Sequence, residues 1–258
     1  MKMRLSTLVM VLLYGLVVVG QQQSPHKAGT PSQSTDLDPL ALKVLKAATE
    51  PIRTANAFSF RALISKEHMG TNGQMITLFH TSTFTVERPD KLHAELRGRG
   101  KDVQLFYKSG QSVLYTPDVK LYTALSSPKT IDATLDELEK KDVFIPVKNF
   151  LESDPYQSLT DGLQSAYVIG EVTLFDQPVH HLAFSDKDVD WQLWVVGGDE
   201  PRIRRMEIID KSRTERPRIV IDFLDWNLNA SPSADLFEFK KPAGAKEIEL
   251  LKQSASSK

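Results

Sequence analysis

Residues 103–115 read VQLFYKSGQSVLY, and this stretch decides the class of fold. Apolar side chains alternate with polar ones on both sides of Ser109-Gly110, a pair typical of a tight turn. A period of two residues places alternate side chains on one face of a strand. The stretch therefore predicts an antiparallel β-hairpin with one buried face. Its apolar alternates are Val103, Leu105, Tyr107, Val113 and Tyr115.

The same period extends along the chain on both sides of this hairpin. Three alternating runs precede it, and turn signals separate them. Further runs occupy residues 167–239. We therefore expect a mainly β (α+β) fold: one antiparallel sheet of about ten or eleven strands, strongly curved because a flat sheet of that width is disfavoured. The runs before the hairpin are residues 58–65, 76–86 and 92–96, with turns at 70–73 and 88–90.

Two stretches break the strand rhythm and predict helices. Asp38 is a suitable N-cap and Pro39 suits the first helical position, so a helix begins there, and Pro51 is expected to kink or end it. Residues 131–151 predict an apolar helical insert. The first helix carries its apolar stripe at Leu40, Val44, Ala47 and Ala48, and the insert is led by Leu135, Leu138 and Phe144.

The N-terminus predicts export. Lys2 and Arg4 precede an apolar run from Leu5 to Val19, and polar residues follow from Gln21. This is the layout of a secretory signal peptide cleaved near Gly20, with an uncleaved N-terminal anchor as the alternative. The mature form then has no transmembrane span. The expected division is a signal peptide at 1–20, a disordered polar linker at 21–37, the domain at 38–248 and a flexible tail at 249–258.

Composition favours an ordinary folded domain and argues against nucleic-acid binding. Hydrophobic residues make up 41% and charged residues 25%, as in typical globular proteins. The net charge of −1 offers no concentrated basic face. Arginines cluster between positions 202 and 218, but acidic residues lie among them, which predicts a solvated face with cross-strand ion pairs. The alternative for that cluster is a surface for an anionic headgroup or a partner.

The common motifs of catalysis and metal binding are missing from the sequence. It has no G-x-S-x-G, no H-E-x-x-H, no P-loop and no cysteine. Asp186 to Asp190 begin like a calcium loop, but Trp191 and Gly197 replace the glycine and glutamate that such a loop requires. His180 and His181 are adjacent on a strand and point to opposite faces. We expect no enzyme, no metal and no cofactor.

Several segments resemble a known family. Residues 88–92 (RPDKL) resemble the Arg-Pro strand start of LolA-type carriers, and residues 105–115 resemble their central hairpin. The C-terminal half resembles a family of predicted periplasmic proteins of unknown function, itself similar to the LolA/LolB lipoprotein-carrier superfamily. The likeness runs from about Asp38 to Ile248. Its C-terminal segments are HLAF at 181–184, VDWQLW at 189–194, DWNLN at 225–229 and FEFKKPAGA at 237–245.

The resemblance implies an open half-barrel whose helices cover the concave face, and a periplasmic role in holding a lipid or acyl chain. It places no cargo-contacting residue. From the alternation we expect the concave face to line any cavity and the insert to cover it as a lid. A packed core fits the same pattern, which leaves a protein-interaction module of the cell envelope as the alternative function. The candidate lining is Phe60, Ile64, Leu78, Phe84, Leu105, Tyr107, Tyr115 and Leu193, with Leu135, Leu138 and Phe144 as the lid.

Overall fold

The computed structural model describes residues 36–98, 102–141, 143 and 145–249. One sheet of thirteen strands dominates this part of the chain. The strands are β1 (Asp36–Leu37), β2 (Ala57–Met69), β3 (Met75–Glu87), β4 (Lys91–Gly98), β5 (Val103–Lys108), β6 (Gln111–Thr116), β7 (Leu121–Ser126), β8 (Ser165–Leu174), β9 (Gln177–Ser185), β10 (Val189–Val196), β11 (Arg202–Asp210), β12 (Arg218–Asn227) and β13 (Lys246–Glu247). The helices are α1 (Pro39–Thr54), α2 (Ile131–Glu139), α3 (Lys148–Leu151) and α4 (Pro155–Thr160), and a 3₁₀ turn spans Ala234–Phe237.

The sheet is built from two meanders joined at their first and last strands. Its order is β1-β8-β9-β10-β11-β12-β2-β3-β4-β5-β6-β7-β13. Strands β2 to β12 pair antiparallel with one another, and the junction is the pairing of β12 with β2. The sheet does not close on itself. A mainly β fold with a single open antiparallel sheet is therefore confirmed.

The strand count exceeds the ten or eleven that the alternation predicts. The two additional strands, β1 and β13, are two residues long and pair in parallel with β8 and β7. A strand of two residues has no period to detect, so the sequence carries no signal for it. Strand β1 also lies inside the segment, residues 21–37, that we expected to be a linker.

One face of the sheet carries the main core. In β2, Phe58, Phe60, Ala62 and Ile64 are buried and their neighbours are more exposed. Register carries this face across the sheet, because Leu193 pairs with Met206, Met206 with Ile221 and Ile221 with Ile64. Side chains of α1, α2 and α3 belong to the same buried cluster. We call this side of the sheet the buried face.

Tyr115 lies on the opposite side, so its assignment to the lining is wrong. The turn at Ser109-Gly110 has two residues, and Lys108 pairs with Gln111. Odd positions before such a turn therefore share a face with even positions after it. Tyr115 instead contacts Phe239, at 5.3 Å between ring centroids, and Phe239 also contacts Phe106 and Tyr122.

Helix α1 begins as predicted but does not end at Pro51. The Asp38 side chain accepts a hydrogen bond from the Leu40 backbone N–H at 2.8 Å. The helix continues to Thr54, and Ile52 is buried. Pro51 lies in the last turn and has no N–H to donate to the carbonyl oxygen of residue 47, and the helix nevertheless continues past it and packs Ile52 into the core. Leu40, expected in the apolar stripe, is 54% exposed, and the buried stripe is Ala41, Leu45, Ala48, Thr49 and Ile52.

Residues 131–151, which we call the insert, form α2, a connecting segment and α3. Thr130 caps α2 by accepting from the Ala133 N–H at 3.3 Å. Ile131, Leu135 and Leu138 are buried, as their spacing of four and three residues predicts. Phe144 lies outside the described residues. None of the helices described here has the length and apolarity to cross a membrane.

Candidate apolar cavity beneath the insert

A cavity of about 180 Å³ lies between the buried face and the insert. Strands β2 to β6 form one wall, and α2, α3 and the segment between them form the other. Nearly all of its lining side chains are apolar. They are Ile64, Ser82, Phe84, Leu92, Ala94, Glu95, Leu96, Val103, Leu105, Leu114, Leu138, Val143, Ile145, Pro146 and Leu151.

The sheet wall is assembled by register. Phe84 pairs with Ala94, Ala94 with Leu105 and Leu105 with Leu114. These four side chains therefore form one row across β3 to β6 on the buried face. Leu96, which is 37% exposed, lies at the margin of this wall.

Glu95 adds no charge to the interior. It pairs with Thr83 and Gln104, residues on the face opposite to Phe84 and Leu105. Its carboxylate accepts hydrogen bonds from Arg97 at 3.0 Å and Gln104 at 3.3 Å. Ser82 is consequently the one polar side chain, among the described lining residues, that belongs to the buried face.

The insert is attached to the sheet at both ends through the turn between β3 and β4. At its start, the Ile131 N–H donates to the Pro89 carbonyl oxygen at 3.0 Å. At its end, the Arg88 guanidinium donates to the carbonyl oxygens of Leu151 at 3.2 Å and Glu152 at 2.6 Å. Burial lowers the pKa of Arg88, but an arginine stays charged at neutral pH. Its positive charge suits the C-terminal end of α3.

Lys148 fastens the two helices of the insert to each other. Its ammonium lies 2.8 Å from Asp136, 3.1 Å from Glu139 and 2.9 Å from Glu152. Burial opposes the charged form of Lys148, but the hydrogen bonds to these three carboxylates outweigh it and raise its pKa. Lys148 therefore stays protonated at neutral pH and neutralises acids that otherwise repel one another.

A second cavity, of about 260 Å³, lies on the other side of the connecting segment. Both cavities are lined by Val143, Ile145 and Pro146. The second cavity has an apolar floor on β10 and β11, including Trp191 and Met206, and a rim that carries polar side chains of α3 and α4. The segment around Ile145 therefore separates two adjacent spaces.

The structure brings together some of the predicted lining residues and not others. Ile64, Phe84 and Leu105 line the first cavity. Phe60, Tyr107 and Leu193 lie in the buried cluster without lining it. Leu78 belongs to the buried face but lies opposite Lys66, beyond the core, and is only partly buried. Of the predicted lid, Leu138 lines the first cavity and Leu135 the second.

Eleven of the fifteen described lining residues are absent from the set chosen from the sequence, and two of them, Leu114 and Ser82, were missed for different reasons. Leu114 was missed because the two-residue turn inverts the face of β6, and Tyr115 was chosen in its place. Ser82 is polar at a position where the alternation of β3 calls for an apolar side chain. That interruption of the pattern is a signal, but it identifies no ligand.

The side of the sheet opposite the buried face carries the arginine cluster. Arg205 forms a bidentate pair with Asp222 at 2.8 and 2.9 Å, and Arg218 lies 3.4 Å from Glu207. Cross-strand ion pairs of this kind are what the interspersed acids predict. His181 stacks on Trp194 on this side, whereas His180 pairs with the buried Val195. In the described part of the chain, no three His, Asp or Glu side chains are grouped as metal ligands.

A known protein family supports the resemblance that the C-terminal half of the sequence suggests. A family model described as "Predicted periplasmic protein (DUF2092)" matches residues 41–251. Comparison with curated proteins finds no match. Among solved structures, LprF from Mycobacterium bovis is 12% identical with a TM-score of 0.48, covering 77% of this chain and 98% of that one. The lipoprotein LppX from Mycobacterium tuberculosis is 9% identical with a TM-score of 0.46, covering 75% and 98%.

The similar structures also include a LolA superfamily protein, NE2245 from Nitrosomonas europaea. It is 12% identical with a TM-score of 0.34, covering 77% of this chain and 97% of that one. No residue or ligand of these proteins is assigned to this chain. The family model, by contrast, spans nearly the whole of the described domain, and the chain therefore belongs to the DUF2092 family of predicted periplasmic proteins.

Proposed function

We propose that this domain binds an apolar ligand, a lipid or an acyl chain, between the buried face and the insert, and that it does so without catalysis. The observation that carries the proposal is the cavity of about 180 Å³ with an almost wholly apolar lining. An enclosed cavity of roughly 150 Å³ with such walls accepts small apolar molecules such as benzene, and this cavity has the same kind of lining although it is partly open to solvent. Binding in this cavity removes the apolar surface of a ligand from water, which lowers the free energy of the complex.

The size of the cavity requires the insert to move for a larger ligand. Typical ligand pockets measure roughly 300–1,000 Å³, and neither cavity reaches that range alone. Displacement of the segment at Val143, Ile145 and Pro146 joins the two spaces. The insert is held at its ends by Arg88 and Pro89, so we propose that its middle acts as the lid.

Bound lipid is the direct test. Protein purified from its native host is extracted with organic solvent, and the extract is analysed by mass spectrometry. We expect a stoichiometric apolar compound. The proposal is contradicted if the purified protein contains no apolar compound and also fails to bind the apolar dye N-phenyl-1-naphthylamine.

The lid is tested with Leu138→Asp. Leu138 is 3% exposed, and its burial contributes about 1.5–3 kcal/mol to docking of the insert. The substitution places a carboxylate there, so we expect the insert to undock, the dye to bind more tightly and the far-UV spectrum to stay native-like. Ala133→Asp adds the same charge on the exposed side of α2 and should change neither property. Unfolding of Leu138→Asp, with a wild type that binds no dye, means that the insert is ordinary core.

A protein-binding role has separate support at the edge of the sheet. Tyr167, Ile169 and Phe175, on β8 and the turn after it, are 54%, 47% and 53% exposed. One edge of β8 pairs with β9, and the other edge pairs with β1 only as far as Ala166, so beyond that residue it has no strand beside it in the part of the chain that the structure describes. An exposed edge of this kind accepts a strand from a partner. Photo-crosslinking from position 167 in host cells should capture one defined envelope protein if this alternative holds.

Export is part of the proposal. Residues 1–35, which carry the basic and apolar segments of the expected signal peptide, lie outside the described residues. We expect cleavage near Gly20, and N-terminal sequencing of protein from the host should start close to Gln21. An intact Met1 on membrane-bound protein indicates an anchor instead.

A further inference from the structure

Ser82 has an unusual environment for a hydroxyl group. It is 1% exposed, and its Oγ has no hydrogen-bond partner among the described residues. Its neighbours across the strands are Ala62 and Leu96, which offer no polar side-chain atoms. A buried hydroxyl normally finds a partner, because desolvation without one is unfavourable.

Ser82 also faces the cavity. It lies on the buried face of β3, two residues from Phe84, and both side chains line the same space. The unpartnered group therefore borders the space available to a ligand. Ser112 offers a contrast, since it is equally buried on the same face but bonds to the Ser127 hydroxyl at 2.7 Å and does not line the cavity.

We propose that the Ser82 hydroxyl donates a hydrogen bond to a neutral carbonyl group of the bound ligand, as in an ester, amide or ketone attached to an apolar chain. This assignment rests on the proposed function and narrows its ligand class. The acceptor is uncharged because no cationic side chain is among the described residues that line the cavity. An ionised carboxylate or phosphate there has nothing to offset its desolvation.

Two probes of similar shape test the assignment. 2-Octanone carries a carbonyl group, and 2-methyl-1-octene has a CH₂ group in place of its oxygen. Isothermal titration measures both with wild type and with Ser82→Ala. We expect the substitution to weaken 2-octanone binding roughly 2- to 12-fold, the range of a net hydrogen bond. The alkene should bind Ser82→Ala equally or more tightly than wild type, because the variant has no hydroxyl group that the alkene would leave without a hydrogen-bond partner.

Controls separate the hydroxyl from general effects. Ser112→Ala removes a buried hydroxyl outside the cavity and should leave both affinities unchanged. Octanoate, which carries a full negative charge, should bind wild type more weakly than 2-octanone. Tighter binding of octanoate overturns the choice of a neutral acceptor.

The failures of the two proposals are distinguishable. If wild type binds both probes and Ser82→Ala weakens neither, or both equally, the hydroxyl does not contact the ligand and only the Ser82 assignment fails. If wild type binds neither probe, the cavity is not a binding site, and the proposed function fails with the assignment.

Discussion

His93 is a titratable side chain buried on the side of the sheet opposite the cavity. It is 6% exposed and its ring lies 4.8 Å from that of Phe106. Burial lowers the pKa of His93, and the negative charge of Glu95 offsets only part of this effect. The folded protein therefore holds this ring neutral at a pH where the unfolded chain, with an ordinary pKa near 6.5, takes up a proton.

A pH dependence of stability follows from this difference. Below pH 6.5 the unfolded state binds more protons than the folded state, so the free energy of unfolding should fall as the pH decreases towards 5. His80, whose pKa burial also lowers, contributes in the same direction. His93→Phe keeps an aromatic ring that cannot titrate. Urea unfolding at pH 7.5 and 5.5 should therefore show a smaller decrease in the free energy of unfolding for this variant than for wild type. An equal decrease in both proteins means that His93 does not cause the pH dependence.

At the scale of single elements, the insert depends on Lys148 more than on its exposed ion pairs. Lys148→Met leaves Asp136, Glu139 and Glu152 without their shared cation. We expect a loss of about 2 kcal/mol in the free energy of unfolding and faster hydrogen exchange in α2. The matched control is Lys141→Met, which removes a pair with Glu137 whose side chains are 40% and 38% exposed. Such a pair contributes at most about 0.5 kcal/mol, and equal effects of the two substitutions rule out the special role of Lys148.

The helices also show which structural features local sequence propensity can predict. Asp38 and Pro39 predicted the start of α1 because an N-cap is a local interaction. The end of α1 was not predictable in the same way, because it depends on the burial of Ile52 against the rest of the core. Helix α4 gave no periodic signal, since its six residues are fewer than two helical turns.

At the scale of the molecule, the pairing of β12 with β2 makes the two meanders interdependent. Residues from both meanders, such as Ile221 and Ile64, share one buried cluster. We therefore expect a single unfolding transition. All three tryptophans, Trp191, Trp194 and Trp226, lie in the second meander, so fluorescence reports on that half while far-UV circular dichroism reports on both. The two denaturation curves should coincide, and separate midpoints mean that the meanders unfold independently.

The sequence by itself determined the strands longer than two residues and their turns, because these depend on local alternation and on residues close in the chain, and the segments that resemble the family indicated its membership. It also determined that Ile64, Phe84, Leu105 and Leu138 face a common core. Only the tertiary structure decided which core residues surround a cavity, since that depends on the gap left between the insert and the sheet. It likewise decided that Leu114 faces inward rather than Tyr115, because a two-residue turn inverts the facing of every later residue in β6. Only the tertiary structure shows that the Ser82 hydroxyl has no hydrogen-bond partner, because this depends on which atoms pack around it in the folded protein.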